Sequence, residues 1–295
     1  MAVVILWFLA GWAARRVVPR SDDVGRLLDR WVLDVALPAL ILVKLPALAI
    51  DASVAVPAAV AWGGVVVGAA VVLGAARLRS WDRRTTGALL LVTPLGNTSF
   101  MGLAVVEALL GRDHLGPALA FDQLGSFLAL SCYGSVVAAH FGVGPAGWRP
   151  VVRRLSRFAP FVALLVSLPL RAIDLPGPAH DVLTALGRTV APLAMLALGL
   201  RFRVVVRRRL AGPAAVCLAT KLVVLPLLAL FVASAVAAPD GLAWSTSVLE
   251  AGMPPMVTAG LVAIRAGLDE ELTTFVVGVG TLLALGTLPV LHAML

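Results

Sequence analysis

Lysine is nearly missing from this chain: Lys44 and Lys221 stand against 22 arginines. Charge of either sign is scarce too, at 14% of residues, while 60% are hydrophobic and the mean hydropathy is +0.99. A soluble globular domain carries about 25% charged residues, so composition excludes one and makes lipid the solvent for most of the chain. Cysteine is limited to Cys132 and Cys217, each inside an apolar run, where a small packing residue is the expected role. The four histidines (His114, His140, His180, His292) are scattered without metal-ligand spacing. There is no H-E-x-x-H, no G-x-S-x-G and no paired-carboxylate signature, which argues against an intramembrane enzyme. Nor is a cleavable signal peptide expected, because no positive residue precedes the first apolar run and Arg15 and Arg16 follow it.

A net charge of +8 invites a nucleic-acid partner. The basic residues, however, occupy short connectors and form no aromatic-interleaved face, so that partner is not expected. What is present is a series of ten apolar runs. They lie near 2–18, 28–49, 53–76, 86–111, 115–141, 158–174, 180–200, 212–237, 243–266 and 271–294. Nineteen of the 24 basic residues fall in, or at the edges of, the connectors after the first, third, fifth, seventh and ninth runs. By the positive-inside rule those connectors are cytoplasmic and both termini face outward, as in a multi-pass protein of the cell membrane.

The longest connector, 142–157, divides the chain into a first unit, 1–141, and a second, 158–295, with five runs each. Five is odd, so a duplicated unit enters the membrane the opposite way up, which is an inverted repeat. Val35-Ala36-Leu37-Pro38-Ala39-Leu40 is similar to Val190-Ala191-Pro192-Leu193-Ala194-Met195; Pro38 and Pro192 are 154 positions apart, and that offset carries Asn97 to position 251.

Two runs cannot be plain helices. The fourth contains Thr93-Pro94-Leu95-Gly96-Asn97-Thr98-Ser99-Phe100-Met101-Gly102, and the ninth contains Glu250-Ala251-Gly252-Met253-Pro254-Pro255. Proline lacks an N–H and breaks the hydrogen-bond ladder, so these stretches free backbone groups that protein, water or ligand must satisfy. Paired breaks in two halves point to a transporter's binding site. Asn97 and Thr98 are the polar groups of the first break, where a restarting helix presents N–H donors to an anion. Asn97 can cap that half-helix, touch a ligand, or do both.

Ionisable residues at membrane depth are functional candidates. Glu250, beside the second break, suits Na⁺ or a titrating proton. Asp122 and Gln123 can complete an ion site, hold Asn97, or simply join two helices. Lys221, deep in the eighth run, is a candidate for attracting an anion or neutralising a carboxylate. Glu107 and Lys44 lie near run ends and are expected to reach the interface, and Asp34 to pair with a loop arginine.

These residues resemble the auxin efflux carrier family over essentially the whole chain. The resemblance rests on the stretch from Leu27 to Leu40, on Gly96-Asn97-Thr98-Ser99-Phe100-Met101-Gly102 and on Ala191-Pro192-Leu193-Ala194. Lys221-Leu222-Val223-Val224-Leu225-Pro226 and Met253-Pro254-Pro255 follow in the same order. It implies an all-α integral membrane protein of ten transmembrane helices in two inverted five-helix repeats, a fold shared with bile acid–sodium symporters. Broken helices four and nine would cross beside a site for a small organic anion, auxin-like or malonate- or malate-like. Asn97 matches the crossover asparagine, and Pro254-Pro255 lies at the second crossover. Glu250-Ala251-Gly252-Met253 is similar to a sodium-binding arrangement, although Pro254 replaces the polar residue that follows there. The function expected is therefore a secondary active or facilitative transporter with no cofactor beyond Na⁺ or H⁺ as a coupling ion. The alternative is a sodium-coupled symporter of bile-acid type. A channel is the remaining rival, and a homodimer is left open.

Overall fold

The computed structural model describes residues 2–46, 52–142, 156, 159–170, 176–201, 210–235 and 241–295. Most of the 142–157 connector lies outside them. Among the described residues the architecture is entirely helical. In chain order the helices are α1 (Ala2–Ala14), α2 (21–44), α3 (Ala52–Arg79), α4 (Arg83–Val92), α5 (Thr98–Leu109) and α6 (Arg112–Phe141). They continue with α7 (Ala159–Leu170), α8 (177–201), α9 (Ala211–Ala235), α10 (Leu242–Ala251), α11 (Val257–Arg265) and α12 (Glu270–His292).

Five of these stretches are long and apolar enough to cross a membrane, and shorter apolar helices accompany them, so the chain is a multi-pass membrane protein. Apolar side chains on the outer faces stay exposed, including Leu6 on α1, Val66 on α3, Leu165 on α7 and Phe231 on α9. Water would penalise such a surface, and lipid accepts it. Inside, one buried cluster joins Leu37, Ile41, Met101, Leu119, Met195, Leu249 and Met253 across α2, α5, α6, α8 and α10. Small residues bring backbones together. A Cβ on Gly11 would lie 2.3 Å from the Leu196 carbonyl oxygen, and one on Gly199 only 2.1 Å from that of Phe8, so α1 and α8 touch through glycine.

Helix α2 begins at Ser21, seven residues before the apolar run, because its first turns are amphipathic and carry Asp22 and Asp23 at the positive end. Among the described residues four π-helical turns open or interrupt the helices, at 32–36, 98–102, 121–127 and 220–224. Asp34, Thr98, Asp122 and Lys221 sit in them, one in each. Such turns break the regular ladder and redirect side chains, which is why they gather at functional positions. Cys132 is exposed on its helix while Cys217 is buried.

Outside the spans, Asp82 caps α4 by accepting from Arg84 N at 2.8 Å and Thr85 N at 2.9 Å. Asp269 caps α12 through Leu272 N at 3.0 Å and also accepts from Thr85 Oγ1 at 3.2 Å, tying the two helix starts together. The Thr85 backbone N–H, opposed by partial desolvation, holds the Asp82 carboxyl below its ordinary 3.8. A depressed folded-state value stabilises above the ordinary value, and the gain is lost as pH falls through the folded one. Asp82→Ala is expected to cost about 1 kcal/mol. Thermal unfolding of the variant in detergent should therefore differ from wild type at neutral pH and converge with it in acid.

Candidate functional site

The fourth and ninth runs break where proline and glycine deny them a helix, and the two breaks meet. Gly96 and Pro255 form an isolated antiparallel bridge. Asn97 N donates to Pro254 O at 2.8 Å, and Met256 N donates to Leu95 O at 2.9 Å. Backbone groups that lipid could not satisfy are thus paired across the crossing. Pro255 also packs on α12, where a Cβ at Gly280 would lie 2.6 Å from its Cδ. The chain restarts as α5 and α11, so two helix N-termini, each with unpaired N–H groups and a positive dipole end, converge beside the ends of α4 and α10.

Asn97 is 1% exposed and precedes α5, yet its side chain makes no capping bond. Its Nδ2 is buried without a hydrogen-bond partner. A buried amide donor with nothing to donate to is costly, and a bound acceptor relieves it.

Behind the crossing lies a polar cluster. Asp122 is fully buried and accepts from Thr98 Oγ1 at 2.5 Å, Ser99 Oγ at 2.6 Å and Gln123 Nε2 at 2.6 Å. Asp122 therefore holds Thr98 and Ser99 rather than Asn97. Gln123 is equally buried, and its Oε1 has no partner. Glu250, also fully buried, leaves both carboxyl oxygens without a hydrogen bond, while Asp122 and Lys221 are near enough to interact with it electrostatically. Two acceptors deprived of every donor in a dry interior are tolerated only with a proton or cation beside them.

Space for that carboxyl group comes from Gly102. A Cβ there would stand 2.3 Å from Glu250 Oε2 and 2.8 Å from Oε1. Gly102→Ala is accordingly expected to displace the carboxyl group and cost about 1–3 kcal/mol, as overpacking does. A melting temperature equal to wild type would show that Glu250 moves aside freely. Sequence reasoning passed over Gly102 and Ser99 as site residues. The only signal was their place in the first break, within reach of a helix turn from Asn97.

Lys221 is 2% exposed, and its Nζ donates to Ala251 O at 3.0 Å, at the end of α10. The ammonium lies against Gly96, where a Cβ would be 3.0 Å away. Among the described residues no salt bridge joins it to a carboxylate. Lys221, Gly96 and Ala251 line one end of a cavity of about 250 Å³, whose walls are largely apolar side chains of α3 and α9, with Trp244 and Ser126. Among the described residues Lys221 is the one charged residue lining it. Asn97, Thr98, Pro254 and Pro255 do not line this cavity but stand immediately beside residues that do. Among the described residues no cluster of three or more His, Cys, Asp or Glu could hold a metal ion.

A family model described as membrane transport protein matches residues 1–139 and 148–292. The chain is 29% identical over 289 residues to an uncharacterized transporter of Methanothermobacter thermautotrophicus, covering 97% of this chain and 94% of that one. It is 30% identical over 119 residues to an uncharacterized transporter of Methanocaldococcus jannaschii, covering 39% of this chain and 38% of that one.

Proposed function

We propose that this chain, which belongs to the membrane transport protein family of the auxin efflux carriers, moves a small organic anion across the cell membrane by alternating access. The observation that carries the proposal is the crossing itself: two broken spans bridged backbone to backbone, with the Asn97 amide buried and unpartnered at the bridge. A carboxylate can accept from that amide and face the two half-helix N-termini and the Lys221 ammonium, which together favour negative charge. The units 1–141 and 158–295 act as inverted repeats that rock around this point, with the arginine-rich connectors in the cytoplasm and both termini outside.

Glu250, Asp122 and Gln123 form the coupling part of the site, with H⁺ or Na⁺ as the ion. The orphaned Glu250 oxygens support this role, because a transported ion can meet them in one state and leave them in another. Reconstitution tests both claims. Uptake of labelled malonate into proteoliposomes should saturate, whereas an ohmic, unsaturable current would indicate a channel. A Na⁺ gradient and a pH gradient applied separately identify the ion, and Glu250→Gln is expected to abolish the dependence on whichever drives uptake. Persistence of that dependence in the variant would place the ion site elsewhere.

A further inference from the structure

We infer that the chain has a second anion site, apart from the crossing, in a cavity of about 260 Å³ lined by the end of α2, the start of α6 and the first half of α8. Only five basic residues lie outside the arginine-rich connectors. Three of them, Lys44 at the end of α2, Arg112 at the start of α6 and Arg188 midway along α8, line this one cavity, and His180 joins them. Cations distant in sequence have been gathered at one place.

Among the described residues one carboxylate shares the cavity. Glu107 Oε1 accepts from Arg112 Nε at 3.0 Å, so that pair is spoken for. His180 faces its neighbour Asp181 at 3.8 Å. Lys44 and Arg188 have neither a carboxylate nor a hydrogen-bond partner among the described residues. In the same wall Thr184 Oγ1 is buried without a partner. The half-buried Lys44 and the exposed Arg188 are free to take an anion, and with the buried orphan hydroxyl they suit an acceptor-rich, negatively charged ligand. The rest of the wall is apolar, with Leu40, Leu103 and Val190. The ligand class that answers all of this is a small organic dianion, a dicarboxylate with a short apolar body.

Such a site would concentrate anions in this cavity, since clustered charge on low-dielectric walls raises local counter-ion concentration. That collecting role rests on the transport reading, whereas binding at the cavity does not. Malonate serves as the probe, with neutral malonamide as control, titrated calorimetrically into the full-length protein at low salt. In the Asn97→Ala variant a malonate-binding event should persist beside the weakened one at the crossing, and adding Lys44→Gln and Arg188→Gln should weaken the persisting event at least tenfold. Malonamide should give no heat. Absence of any malonate binding in Asn97→Ala, or an affinity indifferent to the two charge removals, overturns the site. Failure of the crossing reading looks different, because Asn97→Ala would then transport normally while the heat still depends on Lys44 and Arg188.

A second measurement leaves every charge in place. Thr184→Cys should react about tenfold faster with the anionic sulfonatoethyl methanethiosulfonate than with its cationic trimethylammonium counterpart. Malonate should slow that reaction, and the parent protein supplies the background from Cys132. Equal rates for the two reagents also overturn the proposal.

Discussion

Replacing Asn97 by alanine is expected to weaken malonate binding at the crossing by roughly 10- to 150-fold, which is the loss of one hydrogen bond to a charged group, about 1.5–3 kcal/mol. The fold should survive the change. Asn97 holds the crossing through its backbone N–H to Pro254 O, which alanine retains, and its side chain caps nothing. Removing a buried donor that has no protein partner even relieves an unsatisfied group, so the melting temperature of the unliganded variant should equal or exceed that of wild type. Saturable uptake and melting temperature together therefore separate a ligand contact from a structural one. Normal affinity in Asn97→Ala would remove this residue from the site.

Replacing Lys221 by methionine is expected to cost more, about 2–5 kcal/mol of anion binding, as truncating one member of a desolvated charge pair does. Methionine nearly conserves the stem's volume, so the cavity keeps its shape while the Lys221 charge in its lining is lost. The same ammonium also ties Ala251 O at the negative end of α10, and that carbonyl would lose its donor. A lower melting temperature is thus expected alongside the loss of binding. If Lys221 serves only to tie α10, the variant will melt lower yet bind malonate as wild type does, and that result would sink its role as the anion's counter-charge.

The membrane character of the chain needed nothing beyond composition, because runs of about twenty apolar residues leave lipid as the only tolerable solvent. The breaks were equally legible. Pro94 and Pro254-Pro255 lack an N–H wherever they stand, so each interrupts a ladder whatever surrounds it. The individual identities of Asn97, Glu250 and Lys221 as polar groups at depth could be read the same way, since burying them is costly in any arrangement.

What those groups do to one another could not be read, because the partners lie far apart along the chain. Asp122 answers Thr98 and Ser99 from a different helix, and nothing in its own neighbourhood specifies them. Gly102 gives up a side chain to make room for the carboxyl group of Glu250, which lies in the other half of the molecule. The π-helical turns that carry Asp122 and Lys221 leave no mark in a hydropathy pattern, as they depend on which side chains a neighbouring helix presents. Lys44, placed by sequence at the interface, shares its cavity with Arg112 and Arg188 only because α2, α6 and α8 end or bend beside one another.

The sequence by itself determined where the solvent is lipid, where helices must break and which side chains are expensive to bury, since hydropathy and proline act locally. The tertiary structure alone decided that the two breaks pair through Asn97 N and Pro254 O, that Asn97 Nδ2 and the Glu250 oxygens are left without partners, and that scattered cations converge. Each of those outcomes depends on distances between helices, and only packing sets such distances.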